Sequence, residues 1–164
     1  LMYQYEYNTG KPADIFDLNR LAKYFAMLDI THARHGMAWH NQRFYYNPVI
    51  CKLEPIAYDG YTDHLNFDFS ITDNMAWQLL SNKKPISEEY NFYHLFEDSA
   101  FIKRYLKYLE EYSSTNFAES TSRRLKPKAA FYDSLIRMEF PGIKFDQQFL
   151  AKSTRAVRHY LPEL

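Results

Sequence analysis

Between Leu18 and Leu28 the apolar residues Leu18, Leu21, Phe25 and Leu28 recur at helical spacing, and the pattern then stops at a polar run, THARHGMAWHNQ, over residues 31–42. A stripe of that period has to be buried against another element. The run behind it is rich in His and contains Gly36, so it reads as a loop. One helix therefore delivers a group of chemically capable side chains at its C-terminal end. Asp14 or Asp17 can cap its start, and it is expected to run to about Asp29.

The segments on either side follow from the same reasoning. Residues 1–8 alternate through Met2, Gln4 and Glu6 and read as a short strand, closed by Asn8-Thr9-Gly10. After the loop, 43–46 reads as a strand, Asn47-Pro48 as a turn and 52–57 as the partner strand, with Pro55 marking an edge. The remainder reads as helices. One is capped by Asp73 and runs through Leu80, and a second spans 88–96. A third is capped by Asp98 or Ser99, with Ile102, Tyr105, Leu106, Leu109 and Tyr112 inward. Residues 113–122 are Ser- and Thr-rich and linker-like, ESTSRRLKPK reads as a mobile loop, and Pro127 interrupts the chain before a helix over 128–139 that Pro141-Gly142 ends. Asp146 caps the last helix, which presents Phe149, Leu150, Val157 and Tyr160 on one face.

With 164 residues, the chain is expected to form one domain with an α+β, mainly helical fold. Composition narrows the chemistry. Four Gly, none in a GxGxxG or GxxxxGK[ST] pattern, leave no Gly-rich phosphate loop within the chain. Lys plus Arg equals Asp plus Glu, 20 each, and no basic patch stands out, so nucleic acid is not an expected partner. Cys51 is the one cysteine, which excludes an internal disulfide framework and a Cys-based zinc site. No apolar run approaches the length of a membrane span. The chain opens on LMYQYEY with no leader, and is expected to be a piece of a longer protein.

The chemistry concentrates between Asp29 and Asp63. His32, His35 and His40 are half of the 6 His, Asn41 follows directly, and Asp59-Gly60 comes after the hairpin. Phosphoryl-transfer enzymes of the kinase type use this order of helix, polar loop with Asn, hairpin and Asp-Gly. Magnesium prefers oxygen ligands, which an Asn carbonyl and an Asp carboxylate supply.

The run WHNQRFYYNPVICKLEPIAYDG resembles the CotH-type atypical protein kinases, in Asn41, the aromatic strand Phe44-Tyr45-Tyr46, the Asn47-Pro48 turn and the strand Glu54-Pro55-Ile56-Ala57-Tyr58-Asp59. The preceding LNRLAKYFAMLD looks like the family's helix before the catalytic loop, and the resemblance covers about residues 15–63. It implies a kinase-like C-lobe, with a catalytic-loop and hairpin region at 15–63 and a helical subregion at 73–164. It implies that Mg²⁺ and ATP are held by Asn41 and Asp59, and that the γ-phosphoryl passes to a hydroxyl of a protein substrate. A small lobe with a phosphate-binding Lys would lie before Leu1.

One departure bears on catalysis. The family's catalytic Asp stands five residues before the Asn, where this chain has Gly36. His35, Asp29 and Asp63 are the candidate replacements for the base. A non-catalytic pseudokinase or a coat-type assembly module that binds proteins is the alternative, and a His-dependent metallohydrolase is a third class. Each candidate also has a plain structural reading. The His are polar loop residues, or His32 and His35 form a metal pair if the helix extends through them. Asn41 stabilises a turn, Asp59-Gly60 is a turn dipeptide, and Glu54 makes a salt bridge across the hairpin.

Overall fold

The structure, a computed structural model, describes residues 1–60, 91–143 and 145–163. The expected helix at 73–80, the start of the one at 88–96, and Asp63 lie outside the described residues. In chain order the elements are α1 (Met2–Glu6), α2 (Pro12–Ile15), α3 (Leu18–Thr31), β1 (Arg43–Asn47), β2 (Lys52–Ile56), α4 (Ser99–Tyr112), α5 (Thr115–Glu139) and α6 (Phe149–Tyr160). Short 3₁₀ turns occur at Arg34–Met37, Trp39–Asn41, Asn91–Glu97 and Leu161–Glu163. The fold is mainly helical with one two-stranded antiparallel sheet, which is the α+β class.

Helix α3 begins where Asp17 accepts the backbone N–H of Asn19 at 3.0 Å and of Arg20 at 3.1 Å, which satisfies two of the donors left free at a helix start. Asp14 lies inside the separate short helix α2, which opens with a proline. At the other end His32 adopts a left-handed conformation, φ 53°, and the Ala33 N–H returns to the Leu28 carbonyl at 2.9 Å. The helix therefore stops short of His35, and the helical His32–His35 metal pair does not form.

Helix α3 packs chiefly along α4. Phe25 meets Phe101 edge-on at 5.8 Å and Phe96 at 6.2 Å, and Phe96 meets Tyr105 at 5.4 Å. Such pairs add about 0.5–1.5 kcal/mol each beyond area burial. Asp98, rather than Ser99, caps α4, accepting from the N–H groups of Ala100 and Phe101, both at 2.8 Å. The buried face of α4 is Phe101, Tyr105, Tyr108 and Leu109, while Ile102, Leu106 and Tyr112 are half-buried at its margins. Asp29 is 4% exposed and faces this interface, where it accepts the Tyr105 hydroxyl. Helix α6 docks through Ser153, whose hydroxyl donates to the Ile30 carbonyl, so Ser153 and Thr154 are buried while Phe149, Leu150, Val157 and Tyr160 are half-buried. Asp146 holds the entry to α6 two residues early, accepting from the Gln148 N–H at 2.8 Å and from Lys152 at 2.8 Å.

The structure corrects several sequence expectations. Residues 2–6 form a helical turn, not a strand, because Tyr5 buries itself against Phe16 at 5.1 Å and Tyr3 meets Tyr7 four residues on at 4.4 Å. The linker-like stretch at 113–122 is mostly helix. Ser114 caps it through the Phe117 N–H at 3.2 Å, and Phe117 packs on Tyr112 at 4.8 Å. Helix α5 continues through Pro127, on an exposed stretch where water can reach the carbonyl the proline cannot serve. Arg123, Arg124, Lys126 and Lys128 thus stand together, all exposed, on one helix, a local basic patch that the net charge hides.

Replacing Tyr105 with Phe removes the hydroxyl that Asp29 accepts and keeps the ring packing. It should lower stability by about 1–3 kcal/mol. The measurement is a shift of the urea midpoint at unchanged slope.

Candidate functional site

The hairpin is tied to α3 before the loop is. Strands β1 and β2 pair with Tyr45 opposite Glu54 and Phe44 opposite Pro55. Among the described residues the sheet has two strands, and Pro55, opposite Phe44, removes no donor that either of them uses. At the tip, Asn47 Oδ1 accepts the Val49 N–H at 2.9 Å. Leu53 bridges to Phe16, and the Asp17 N–H donates to the Leu53 carbonyl at 2.9 Å. Glu54 is buried and accepts Asn47 Nδ2 at 2.7 Å and Arg20 Nη1 at 2.5 Å. Its carboxylate is therefore a clasp between hairpin and helix: the ion pair runs to α3, and the contact across the hairpin is a hydrogen bond rather than the expected salt bridge.

The loop between α3 and β1 is folded back onto α3 through Gly36. A β-carbon built there would meet Leu28 Cδ2 at 3.1 Å, Tyr24 Oη at 3.3 Å and the Tyr58 carbonyl at 3.3 Å. The Gly36 carbonyl accepts the Tyr24 hydroxyl at 3.3 Å and also Gln42 Nε2. Burial raises the pKa of Tyr24; the Tyr58 N–H beside it works the other way, and the Asp59 charge adds to the rise. Arg43 closes the far side. Its guanidinium donates to the carbonyls of His40 at 2.7 Å and Gln42 at 2.9 Å, and lies 4.7 Å from the Tyr58 ring centre.

These tethers bring three of the four predicted site residues together around His35. Asn41 is 7% exposed and donates through Nδ2 to the His35 carbonyl at 3.0 Å. Asp59, in a left-handed conformation at φ 49°, places Oδ2 3.2 Å from His35 Nε2. Both members of that dyad are partly open to solvent. The exposed His40 stands 5.8 Å from His35, ring to ring. The fourth residue, Asp29, is not part of this cluster: it lies in the α3–α4 core with Tyr105, so it cannot reach a substrate from there. Tyr24, Gln42 and Arg43 belong to the site's frame, although sequence reasoning did not single them out. Tyr24 sits seven residues after the cap of α3, on a face whose partner is fixed only once the loop folds back.

Asn41 and Asp59 suit a hard cation in type. The Asn41 amide uses its nitrogen on the His35 carbonyl, and its remaining group is an oxygen acceptor. Asp59 offers a carboxylate at the imidazole end of His35, while Asn41 meets its backbone carbonyl. Among the described residues no group of three or more His, Cys, Asp or Glu gathers as a metal centre.

No family model, no curated protein and no solved structure matches the chain.

At Gly36, the position where the kinase pattern places an Asp, a side chain would crowd Leu28, Tyr24 and the Tyr58 carbonyl. Gly36→Asp should not create a base. It should instead destabilise the fold by more than about 2 kcal/mol, since an overpacked side chain and a carboxylate are forced against a backbone carbonyl. A thermal melt of the variant checks this; an unchanged midpoint would show that the loop has room.

Proposed function

We propose that the chain is the helical half of a CotH-like kinase that passes the γ-phosphoryl group of ATP to a protein hydroxyl, with His35 as the base. The observation that carries this reading is the convergence of Asn41 and Asp59 on His35 across 18 residues of sequence, 41 to 59. Mg²⁺–ATP supplies the transferable phosphoryl group when bound, and Asn41 and Asp59 are the residues to hold it. The chain's own groups do the rest. Asn41 orients the His35 backbone. Asp59 meets Nε2 at 3.2 Å, which orients the ring. His35 then takes the proton of the attacking hydroxyl as its oxygen bonds to phosphorus and the bond to ADP breaks.

A non-catalytic reading, a pseudokinase or protein-binding assembly module, is favoured by one observation: Gly36 stands where the usual catalytic carboxylate would, and its neighbours crowd a β-carbon there at 3.1–3.3 Å.

Two measurements on the full chain separate these readings. ATP with Mg²⁺ should raise the melting temperature, with about 2.7 kcal/mol of stabilisation at a hundredfold excess over Kd. The shift should disappear in Asn41→Ala and Asp59→Asn. His35→Ala should keep the shift and lower phosphoryl transfer to protein by about 10²–10⁴-fold. A shift without any transfer in the wild type supports the non-catalytic reading. No shift at all removes the kinase reading and favours the protein-binding module.

A further inference from the structure

Helix α5 turns a single stripe outward along its second half. Arg124, Lys128, Phe131, Leu135 and Met138 follow one another at alternating steps of four and three, so they share one helix face, and every one of them is exposed. Phe131 is 58% exposed and Met138 is 83% exposed, large fractions for apolar side chains on a 25-residue helix. The apolar end of the stripe continues past the helix into Phe140, Ile143 and Phe145, all exposed. Its other end is cationic: Arg123, Arg124, Lys126 and Lys128 are exposed, and no carboxylate occurs between Glu119 and Asp133. Asp133 is already engaged, accepting from Arg137 at 2.9 Å and from the Phe145 N–H at 3.2 Å.

We propose that this face of α5 docks on an anionic lipid surface. The division of the stripe selects that occupant. An anionic bilayer offers phosphate and carboxylate groups in its headgroup layer and hydrocarbon just below it, so the cations and the apolar residues each meet their own chemistry along one line. Long Arg and Lys side chains reach headgroups from a helix whose apolar neighbours go deeper. A second copy of the chain fits worse. An antiparallel pairing centred between Phe131 and Tyr132 sets Lys128 against Leu135 and Leu125 against Met138, burying an ammonium among apolar groups. A parallel pairing sets like charges together. No helix among the described residues is long and apolar enough to cross a membrane, so the attachment is peripheral. Glu139, exposed beside Met138, is the one carboxylate next to the stripe, and it opposes docking on an anionic surface.

The test is co-sedimentation of the full chain with phosphatidylcholine vesicles, with and without phosphatidylserine. Binding is expected only with phosphatidylserine, and it should weaken as salt is raised. Reversing two cations, Arg124→Glu with Lys128→Glu, should lower partitioning by about tenfold or more. Phe131→Ser with Met138→Ser should also weaken it at unchanged charge, and Glu139→Gln should strengthen it. The substituted positions are exposed, and circular dichroism confirms that helix content is retained. Absence of binding to the anionic vesicles, or binding that neither double variant alters, overturns the proposal. Self-association in sedimentation equilibrium that Phe131→Ser with Met138→Ser abolishes, without vesicle binding, assigns the face to a second copy instead.

Discussion

Gly36 lies so close to Leu28, Tyr24 and the Tyr58 backbone that a β-carbon there would press on all three, and from that contact the arrangement of the polar loop follows. The Tyr24 hydroxyl and Gln42 Nε2 share the Gly36 carbonyl, so the loop is fastened at its middle rather than at its ends. His35 and Asn41 sit on either side of this fastening, one residue before it and five after. Tyr58 contributes to the same contact and is followed at once by Asp59. The contact between His35 and Asp59 therefore sits beside a close backbone approach that a side chain at position 36 would press on.

The helix that supports the loop is held from the opposite side by different physics. There the contacts are aromatic edges and one buried hydrogen bond from Tyr105 to Asp29. A carboxylate that faces a core is retained only with a donor, since desolvation otherwise disfavours its charge. Asp29 and Asp59 thus divide two roles along one short stretch of chain. The first stabilises the packing of α3 on α4, and the second faces solvent and the imidazole. Exposure separates them, and exposure is not written in residue type.

Much of the scaffold was legible in the sequence. The stripe Leu18, Leu21, Phe25 and Leu28 is strongly periodic, and Asp17 has the side chain a cap needs. The hairpin was legible because Asn47-Pro48 is turn chemistry between aromatic and apolar runs. Two local misreadings share a cause. The alternation Met2, Gln4, Glu6 coincides with tyrosines spaced for a helical turn, and the Ser-rich start of α5 uses Ser114 as a cap. In both, a tertiary contact, Tyr5 on Phe16 or Phe117 on Tyr112, decided between patterns the sequence allows equally. The candidate site was legible as residue types but not as a geometry. Nothing in the spacing of His35 and Asp59 shows that Tyr24 and Arg43 will bring them to 3.2 Å.

Helix α5 has one buried residue, Ala118, near its start, and a proline that omits a rung of its hydrogen-bond ladder at position 127. Cooperative unfolding links amides through shared burial, and beyond Pro127 there is little to share. The outer half of α5 is therefore expected to open at a lower free energy than α3, so its amide protons should exchange with solvent sooner than those closed in by the aromatic core.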